Sequence, residues 1–196
     1  MEPRGNMKSV SILGSGSWAL ALSKILKPNK LVIKCRDIKK VKAKFKSHNI
    51  ILTDSFDKVI ETQTVFIAIP SQSVRQNLMD LRQYKASKQE KQIFVICSKG
   101  VEKNTFKLMS EVVSEIFPTS MISILSGPNF SSELIKQKPS ASVLSSKNKS
   151  VLKEISGLMI QEKFRTYFNN DIIVSIDGNK GQASFTSGSI SKINLN

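Results

Sequence analysis

The chain has little of the chemistry that builds metal sites, disulfide frameworks or histidine-based active sites. Its 196 residues include two cysteines, Cys35 and Cys97, and neither belongs to a CxxC pair. This spacing gives no support to a zinc site or a disulfide framework, and we interpret both cysteines as strand residues in a reducing compartment. The single histidine, His48, lies among charged and polar residues, which favours a surface position over a Ser-His-Asp triad.

Long hydrophobic runs are also missing. No apolar stretch approaches the ~18 residues that a membrane-spanning helix needs, and the N-terminal segment MEPRGNMK lacks the apolar part of a signal peptide. We therefore expect a cytoplasmic protein without a membrane span. The hydrophobic content of 40% is sufficient for a core, and the length fits one domain or one domain plus a fragment. No feature of the sequence indicates an oligomeric state.

Acidic residues are scarce relative to basic ones, with 15 Asp and Glu against 30 Lys and Arg, which gives a net charge of +15. Such a charge raises the hypothesis of binding to nucleic acid or to an anionic surface. In the densest basic run, residues 34–48, the apolar residues Ile38, Val41 and Phe45 keep helical spacing, so the lysines form the solvated face of a helix. Only five of the cations are arginine and Phe45 is the single aromatic residue in the basic run, so nucleic-acid binding stays the less favoured alternative.

Strands and helices alternate along the chain. Strands are predicted at 10–13, 31–35, 64–70, 92–97, 121–126, 140–146 and 164–168, and helices at 19–26, 38–45, 54–61, 72–84, 105–116, 130–138 and 150–161. The apolar run TVFIAIP, stopped by Pro70, is typical of a strand buried on both faces. This alternation predicts an α/β fold with a doubly wound, mostly parallel sheet of the Rossmann-like type, in which ligands bind where the strands end.

A glycine motif stands at the first junction between a strand and a helix. Gly14 and Gly16 precede Ser17 and Trp18, and Ala19 takes the third position of a GxGxxG-like pattern. Glycines at such a junction allow a dinucleotide pyrophosphate to approach the unpaired N–H groups of the helix. Trp18 is either an apolar plug over the helix start or a contact to the cofactor. The motif predicts a dinucleotide-binding site.

The residue that follows the second predicted strand bears on the choice of cofactor. An NAD-preferring fold usually has an acidic residue about twenty positions after the glycine motif, whereas this chain has Arg36 followed by Asp37. Arg36 is suited to a 2′-phosphate, so we expect NADP to be accepted, with NAD remaining possible. The alternative is that Arg36 is a solvated residue at the end of a strand.

Five ordered segments together resemble a known enzyme family. They are GSGSWALALS near the N-terminus, IAIPSQSVRQNL (67–78), SKGVEKNTFKLMSEVVSEIFP (98–118), LSGPNFSSELIKQKPSASVLSS (125–146) and FRTYFNND (164–171). In order and spacing they resemble the bacterial-type NAD(P)-dependent glycerol-3-phosphate dehydrogenases, over residues 8–171. The resemblance implies hydride transfer between NAD or NADP and the pair dihydroxyacetone phosphate and sn-glycerol 3-phosphate, a reaction that supplies glycerophospholipid precursors.

The resemblance also implies roles for individual residues. Seven residues occupy positions that bind the cofactor in this family; they are Gly14, Gly16, Ser17, Trp18, Arg36, Lys99 and Ser131. Arg36 corresponds to the adenosine end and Ser131 to the nicotinamide side. Lys99, Gly127 and Asn129 match positions that contact the substrate, where the lysine holds the substrate oxygen and phosphate. Alternative interpretations are a surface lysine at Lys99 and ordinary turn chemistry for Gly127 and Asn129.

The resemblance ends after Asp171. We expect residues 1–7 to form a tail, residues 8–171 the NAD(P)-binding domain, and residues 172–196 a divergent, disordered tail. Lys180 is a candidate for the proton-transferring lysine of the family, although its neighbours do not match those of the family motif. The family's helical C-terminal domain is missing from this sequence, so the resemblance implies a truncated, impaired or inactive dehydrogenase, with an NAD(P)-binding module without catalysis as the alternative.

Overall fold

A computed structural model describes residues 9–28, 30–84, 92–160 and 162–172 of the chain. The strands of this part are β1 (Ser9–Leu13), β2 (Lys30–Lys34), β3 (Ile50–Thr53), β4 (Thr64–Ile67), β5 (Ile93–Ile96), β6 (Met121–Ser126), β7 (Ser140–Ser145) and β8 (Phe164–Asn169). The helices are α1 (Ser17–Ile25), α2 (Ile38–Val41), α3 (Asp57–Ile60), α4 (Ser71–Gln83), α5 (Met109–Ile116), α6 (Ser131–Ile135) and α7 (Lys149–Gly157). Within these residues, no helix is both long and apolar enough to cross a bilayer.

The strands form one mostly parallel sheet in the order β3-β2-β1-β4-β5-β6-β7-β8. All neighbouring strands run parallel except β6 and β7, which pair antiparallel. From β1 the chain proceeds outward to β2 and β3, then crosses back to place β4 on the other side of β1. This reversal makes the space beyond the ends of β1 and β4 the topological switch point, where doubly wound sheets bind their ligands. The predicted fold class is confirmed.

Side chains of the central strands alternate between two apolar cores, one on each face of the sheet. Phe66 and Val95 belong to the core that α1, α6 and α7 cover, whereas Val65 and Phe94 belong to the core covered by α3, α4 and α5. Because successive strand residues point to opposite faces, a strand buried on both sides must be apolar throughout. All four residues of β4 and all four of β5 are buried, in agreement with their sequence pattern.

The structure corrects several predicted boundaries. Strand β3 was not predicted, and it is an edge strand of four residues of which three are only partly buried. The helix predicted from Thr105 begins at Met109, because residues 101–108 form a turn closed by a bridge between Val101 and Leu108. The basic helix is also shorter than predicted, since α2 ends at Val41, although Phe45 is buried. The predictions for residues 1–7 and 173–196, including Lys180, lie outside the described residues.

Candidate functional site

The turn between β1 and α1 requires glycine at its first position. Gly14 has a φ angle of +115°, and a Cβ atom built there would lie 2.5 Å from the carbonyl oxygen of Ala68 and 2.9 Å from a side-chain carbon of Ile69. The Gly14 N–H donates to the carbonyl oxygen of Lys34 at the end of β2, at 3.0 Å. The turn is therefore packed directly between the ends of β2 and β4, and no larger residue fits there.

The second glycine has a different role, because the space beside it is open. No atom lies within 4 Å of a Cβ built on Gly16, and no side chain caps the N-terminus of α1. The first turn of this nine-residue helix also contains no acidic residue. Its N–H groups and the positive end of the helix dipole are consequently available to an anion that approaches Gly16. Ala19, at the third position of the motif, is fully buried against the sheet.

A cavity of about 490 Å³ lies next to this turn, at the edge where β4, β5 and β6 end. Ala68 and Ile69, which abut Gly14, form part of its wall. The cavity brings together five residues that the sequence analysis assigned to the site; these are Trp18, Lys99, Gly127, Asn129 and Ser131. Ile96, Met109 and Leu125 line it as well and make the inner wall apolar. This size and lining are typical of sites for small ligands.

Lys99 lies just past the end of β5 and is exposed at the cavity. Its neighbours fix the backbone on either side. The Ser98 hydroxyl donates to the carbonyl oxygens of Ile69 at 2.5 Å and Ile67 at 3.3 Å, and Gly100 has a φ angle of +94°. Among the described residues, the Lys99 ammonium has no ion-pair partner. Lys99 is therefore a free positive charge on a well-held segment beside an apolar cavity.

Trp18 and Cys97 form the part of the cavity wall between α1 and β5. The Trp18 Nε1 atom is buried and makes no hydrogen bond of ordinary geometry, and the residue lines the cavity. Burial raises the pKa of the Cys97 thiol to about 12, while the nearby indole N–H of Trp18 partly opposes this effect. The thiol is thus neutral at physiological pH and inert as a nucleophile, since the thiolate is the reactive form.

The turn after β6 is tied to β7 by the residues that were predicted to contact the substrate. The Asn129 Nδ2 group donates to the Ser142 hydroxyl at 2.5 Å, and a Cβ on Gly127 would lie 2.7 Å from the same amide nitrogen. Glycine is therefore needed at 127 to let the Asn129 side chain reach β7. Asn129 has the structural role of a turn residue in addition to its place in the cavity wall. The following helix, α6, has five residues, too few for a strong N-terminal dipole.

Arg36 lies outside the cavity, beyond the end of β2 on the far side of the glycine turn. It is exposed and makes no hydrogen bond or ion pair with the described part of the chain. The neighbouring Asp37 carboxylate is already engaged, because it caps α2 by accepting from the Lys40 N–H at 3.2 Å and pairs with the Lys40 ammonium at 3.5 Å. Arg36 is thus free for a ligand within the described part of the chain.

Several residues that shape the site escaped the sequence analysis. Ser98 and Ser142 were not singled out, and neither was a cluster in which Arg75 contacts Glu102 and Glu115. A signal for all of them existed, since each lies within a segment that carries the family resemblance. In the described residues, no group of three or more His, Cys, Asp or Glu side chains could hold a metal ion.

Comparison with known proteins points to one family. The family profile described as NAD-dependent glycerol-3-phosphate dehydrogenase N-terminus matches residues 34–152. A glycerol-3-phosphate dehydrogenase [NAD(P)+] of Neorickettsia sennetsu is 34% identical over 176 residues, which cover 82% of this chain and 52% of that protein. A protein of the same name from Wolbachia pipientis is 32% identical over 178 residues, which cover 84% of this chain and 54% of the relative. The chain spans about half the length of these relatives.

Solved structures show the same fold. A glycerol-3-phosphate dehydrogenase from Coxiella burnetii superimposes with a TM-score of 0.75 at 21% identity, covering 84% of this chain and 55% of that one. A glycerol-3-phosphate dehydrogenase from Plasmodium falciparum gives a TM-score of 0.72 at 24% identity, with 83% and 52% covered. The profile match extends from the end of β2 into α7 and so includes Lys99, Gly127 and Asn129. The chain therefore belongs to the NAD-dependent glycerol-3-phosphate dehydrogenase family and corresponds to the N-terminal part of its members.

Proposed function

We propose that the chain binds NAD or NADP along the edge where the parallel strands end, and binds dihydroxyacetone phosphate or sn-glycerol 3-phosphate in the adjoining cavity. The observation that carries this proposal is the contrast within the glycine turn. Gly14 is packed against Ala68 and Ile69, while Gly16 has no atom within 4 Å of its Cβ position. Space for a pyrophosphate, a helix N-terminus and a ligand cavity thus lie side by side.

The free groups along this edge suit the two ends of such a cofactor. Arg36 lies at the end of β2, where the adenosine ribose is held in folds of this kind, and its guanidinium matches a 2′-phosphate. Asp37 caps α2 and pairs with Lys40, whereas Arg36 has no partner among the described residues and is the less engaged of the two charged groups. We therefore propose that NADP is accepted at least as well as NAD.

Within the cavity, Lys99 is proposed to hold the phosphate and the reacting oxygen of the substrate. The apolar wall of Ile96, Met109 and Leu125 makes this region less polar than bulk water, which strengthens the attraction between the ammonium group and an anion. When bound, the nicotinamide ring supplies or accepts the hydride. The Ser131 and Trp18 side chains line the same cavity and are proposed to contact the nicotinamide side of the cofactor.

The described cavity lining offers fewer side chains for proton transfer than for binding. Among the described residues that line the cavity, Lys99 is the only charged side chain, and none is a carboxyl or imidazole group. Turnover requires a positioned acid or base as well as bound reactants. We therefore propose binding of cofactor and substrate with slow or absent turnover, and this observation favours a second candidate function, an NAD(P)-binding module without catalysis.

Titration of the full chain with NADPH tests the cofactor proposal. Trp18 is the single tryptophan and lines the cavity, so its emission reports directly on occupancy. We expect saturable quenching at micromolar NADPH, and a Trp18→Phe variant identifies the origin of the signal. Absence of saturation at millimolar NADPH would contradict the proposal. Oxidation of NADPH after addition of dihydroxyacetone phosphate then distinguishes the dehydrogenase from the binding module.

Substrate binding is tested by replacing the proposed anion-binding lysine. We expect Lys99→Gln to abolish detectable binding of sn-glycerol 3-phosphate to the NADP-saturated chain, while NADPH affinity changes much less. Lys103→Gln is a matched control, because Lys103 is exposed on the same loop and bonds to Gln72 through its backbone N–H alone. Equal losses in both variants would assign the effect to net charge and not to the cavity.

A further inference from the structure

The loop that carries Lys99 is fastened to a neighbouring helix by side chains that touch neither the cavity nor the glycine turn. We define the β5–α5 loop as residues 97–108. Its middle part forms a tight turn, in which the Glu102 N–H donates to the carbonyl oxygen of Lys107 at 2.9 Å and the Phe106 N–H donates to that of Glu102 at 2.8 Å. Phe106 has a φ angle of +56° and is largely exposed. Internal packing alone therefore does not hold this loop in place.

Arg75 of α4 provides the main attachment. Its Nε and one terminal nitrogen donate to the two oxygens of Glu102 at 2.8 and 3.0 Å. The same guanidinium donates to both oxygens of Glu115 on α5, at 2.9 and 3.1 Å. Lys107 joins Glu115 at 2.7 Å, and the Thr105 hydroxyl donates to Glu102. The planar fork of one arginine thus satisfies two carboxylates from different elements, which a lysine cannot do.

Gln72, one helical turn before Arg75, provides a second attachment. Its side-chain amide donates to the carbonyl oxygen of Val101 at 2.8 Å and accepts from the Lys103 N–H at 3.0 Å. Because Ser98 is bonded to the end of β4 and Val101 to Gln72, the dipeptide of Lys99 and Gly100 is held at both ends. These bonds determine where the Lys99 side chain leaves the backbone.

The cluster also controls the charge around Lys99. The Glu102 side chain is only 13% exposed and lies three residues after Lys99. If Arg75 were removed, Glu102 would keep its hydrogen bond from Thr105, but no guanidinium would balance its negative charge on the loop that carries Lys99. Such a carboxylate would compete with any anion for the ammonium group and would repel that anion.

We propose that Arg75 is a positioning residue that, through Glu102, holds Lys99 at the cavity and keeps its positive charge free for a phosphate-bearing ligand. This inference rests on the proposed function for the identity of the ligand. Arg75 itself does not line the cavity. Its hydrogen bonds to Glu102 hold the loop that carries Lys99, whereas its hydrogen bonds to Glu115 join α4 to α5.

The first experiment measures binding of sn-glycerol 3-phosphate to the full chain saturated with NADP. We expect Arg75→Ala to weaken binding roughly tenfold, because Lys99 remains in the chain but is less well placed for the phosphate. The double variant Arg75→Ala/Glu102→Gln should recover part of this loss, because it removes the released carboxylate. If Arg75 only stabilised the fold, the double variant would bind more weakly than Arg75→Ala, because the second substitution removes another contact. NADPH affinity is expected to stay unchanged in both variants.

Arg82→Ala is the matched control, because Arg82 lies on the same helix, is exposed and makes no ion pair with the described residues. Arg75→Lys is the second variant in case Arg75→Ala does not fold, and we expect an intermediate loss because lysine reaches one carboxylate only. Unchanged binding in Arg75→Lys and Arg75→Ala, or an equal loss in Arg82→Ala, would overturn the proposal.

A second experiment does not depend on the substrate. Pyridoxal 5′-phosphate is an anionic aldehyde that labels lysines, and peptide mapping after borohydride reduction compares Lys99 with Lys103 in one sample. We expect Lys99 labelling to fall several-fold in Arg75→Ala and to recover in the double variant, while Lys103 labelling does not change. Equal labelling of Lys99 in the parent chain and Arg75→Ala would refute the positioning role even if sn-glycerol 3-phosphate does not bind.

Discussion

Replacing each glycine of the β1–α1 turn with alanine should separate cofactor binding from folding. At Gly16 the φ angle of −75° is accessible to alanine, and no atom lies within 4 Å of the new methyl group. Alanine is a poorer N-cap residue than glycine, so we expect Gly16→Ala to lower the free energy of unfolding by less than about 1 kcal/mol. The methyl group, however, fills the open space that the pyrophosphate is proposed to occupy.

The expected loss of affinity in Gly16→Ala follows from the bonds that the methyl group obstructs. A hydrogen bond from a backbone N–H to a charged phosphate contributes about 1.5–3 kcal/mol. Loss of one such bond weakens NADPH binding by roughly 10- to 100-fold, because each 1.4 kcal/mol is about tenfold in affinity. We therefore expect a stable chain that binds NADPH poorly.

Gly14→Ala should give the opposite result, a chain that is destabilised before any ligand is added. Its φ angle of +115° is strained for alanine, and the new Cβ would lie 2.5 Å from the Ala68 carbonyl oxygen. Backbone strain of about 1–3 kcal/mol and overpacking of about 1–3 kcal/mol together give a loss of about 2–6 kcal/mol. That is a large fraction of the ~5–15 kcal/mol by which small domains are stable.

Two measurements on both variants test this reasoning. Urea denaturation followed by circular dichroism gives the free energy of unfolding, and NADPH titration followed by Trp18 emission gives the affinity. The reasoning is refuted if Gly16→Ala binds NADPH as tightly as the parent chain, since the pyrophosphate would then pass elsewhere. It is equally refuted if Gly14→Ala unfolds at the same urea concentration as the parent.

Two further predictions concern charged side chains. Arg36→Ala should weaken NADPH binding about tenfold or more and leave NADH binding nearly unchanged, as parallel titrations would measure; equal losses would remove Arg36 from the 2′-phosphate site. Hydrogen bonds from the Arg75 guanidinium lower the pKa of Glu115 from 4.5 to about 2 and also lower that of Glu102. Their stabilisation is therefore present above the ordinary pKa and lost as the pH falls towards about 2. The urea concentration at the midpoint of unfolding should fall less steeply between pH 4.5 and about 2 in Glu115→Gln than in the parent chain. An equal slope in the two chains would contradict the prediction.

The fold was predictable from the sequence because its central strands are buried on both faces. In β4 and β5 every residue must be apolar or small, so Thr64–Ile67 and Ile93–Ile96 are recognisable as short apolar runs that end at Pro70 or near Gly100. Strand β3 lacks this signal, because an edge strand with three partly exposed residues needs no such uniformity. The predicted start of the following helix at Thr105 was wrong, because hydrophobic periodicity does not reveal the turn that precedes Met109.

The candidate site was predictable only in part. Gly14, Lys99 and Asn129 follow strand ends, and the ends of parallel strands meet at one edge, so their approximate location followed from the order of the elements. The residues that hold them in place could not be predicted from this order. Asn129 bonds to Ser142, thirteen positions away, and Arg75 bonds to Glu102 and Glu115, 27 and 40 positions away. A periodic pattern in one sequence carries no information about such distant pairs.

The two halves of the site are supported by opposite layers of the fold. Trp18 and Ser131 lie on α1 and α6, which pack together on one face of the sheet. The loop that carries Lys99 is fastened instead to α4 and α5, which pack together on the other face. The sheet separates these layers, so we expect a substitution in one layer to disturb the ligand on its own side more than the other. Changes near Trp18 should act mainly on the cofactor, and changes near Arg75 should act mainly on the anion beside Lys99.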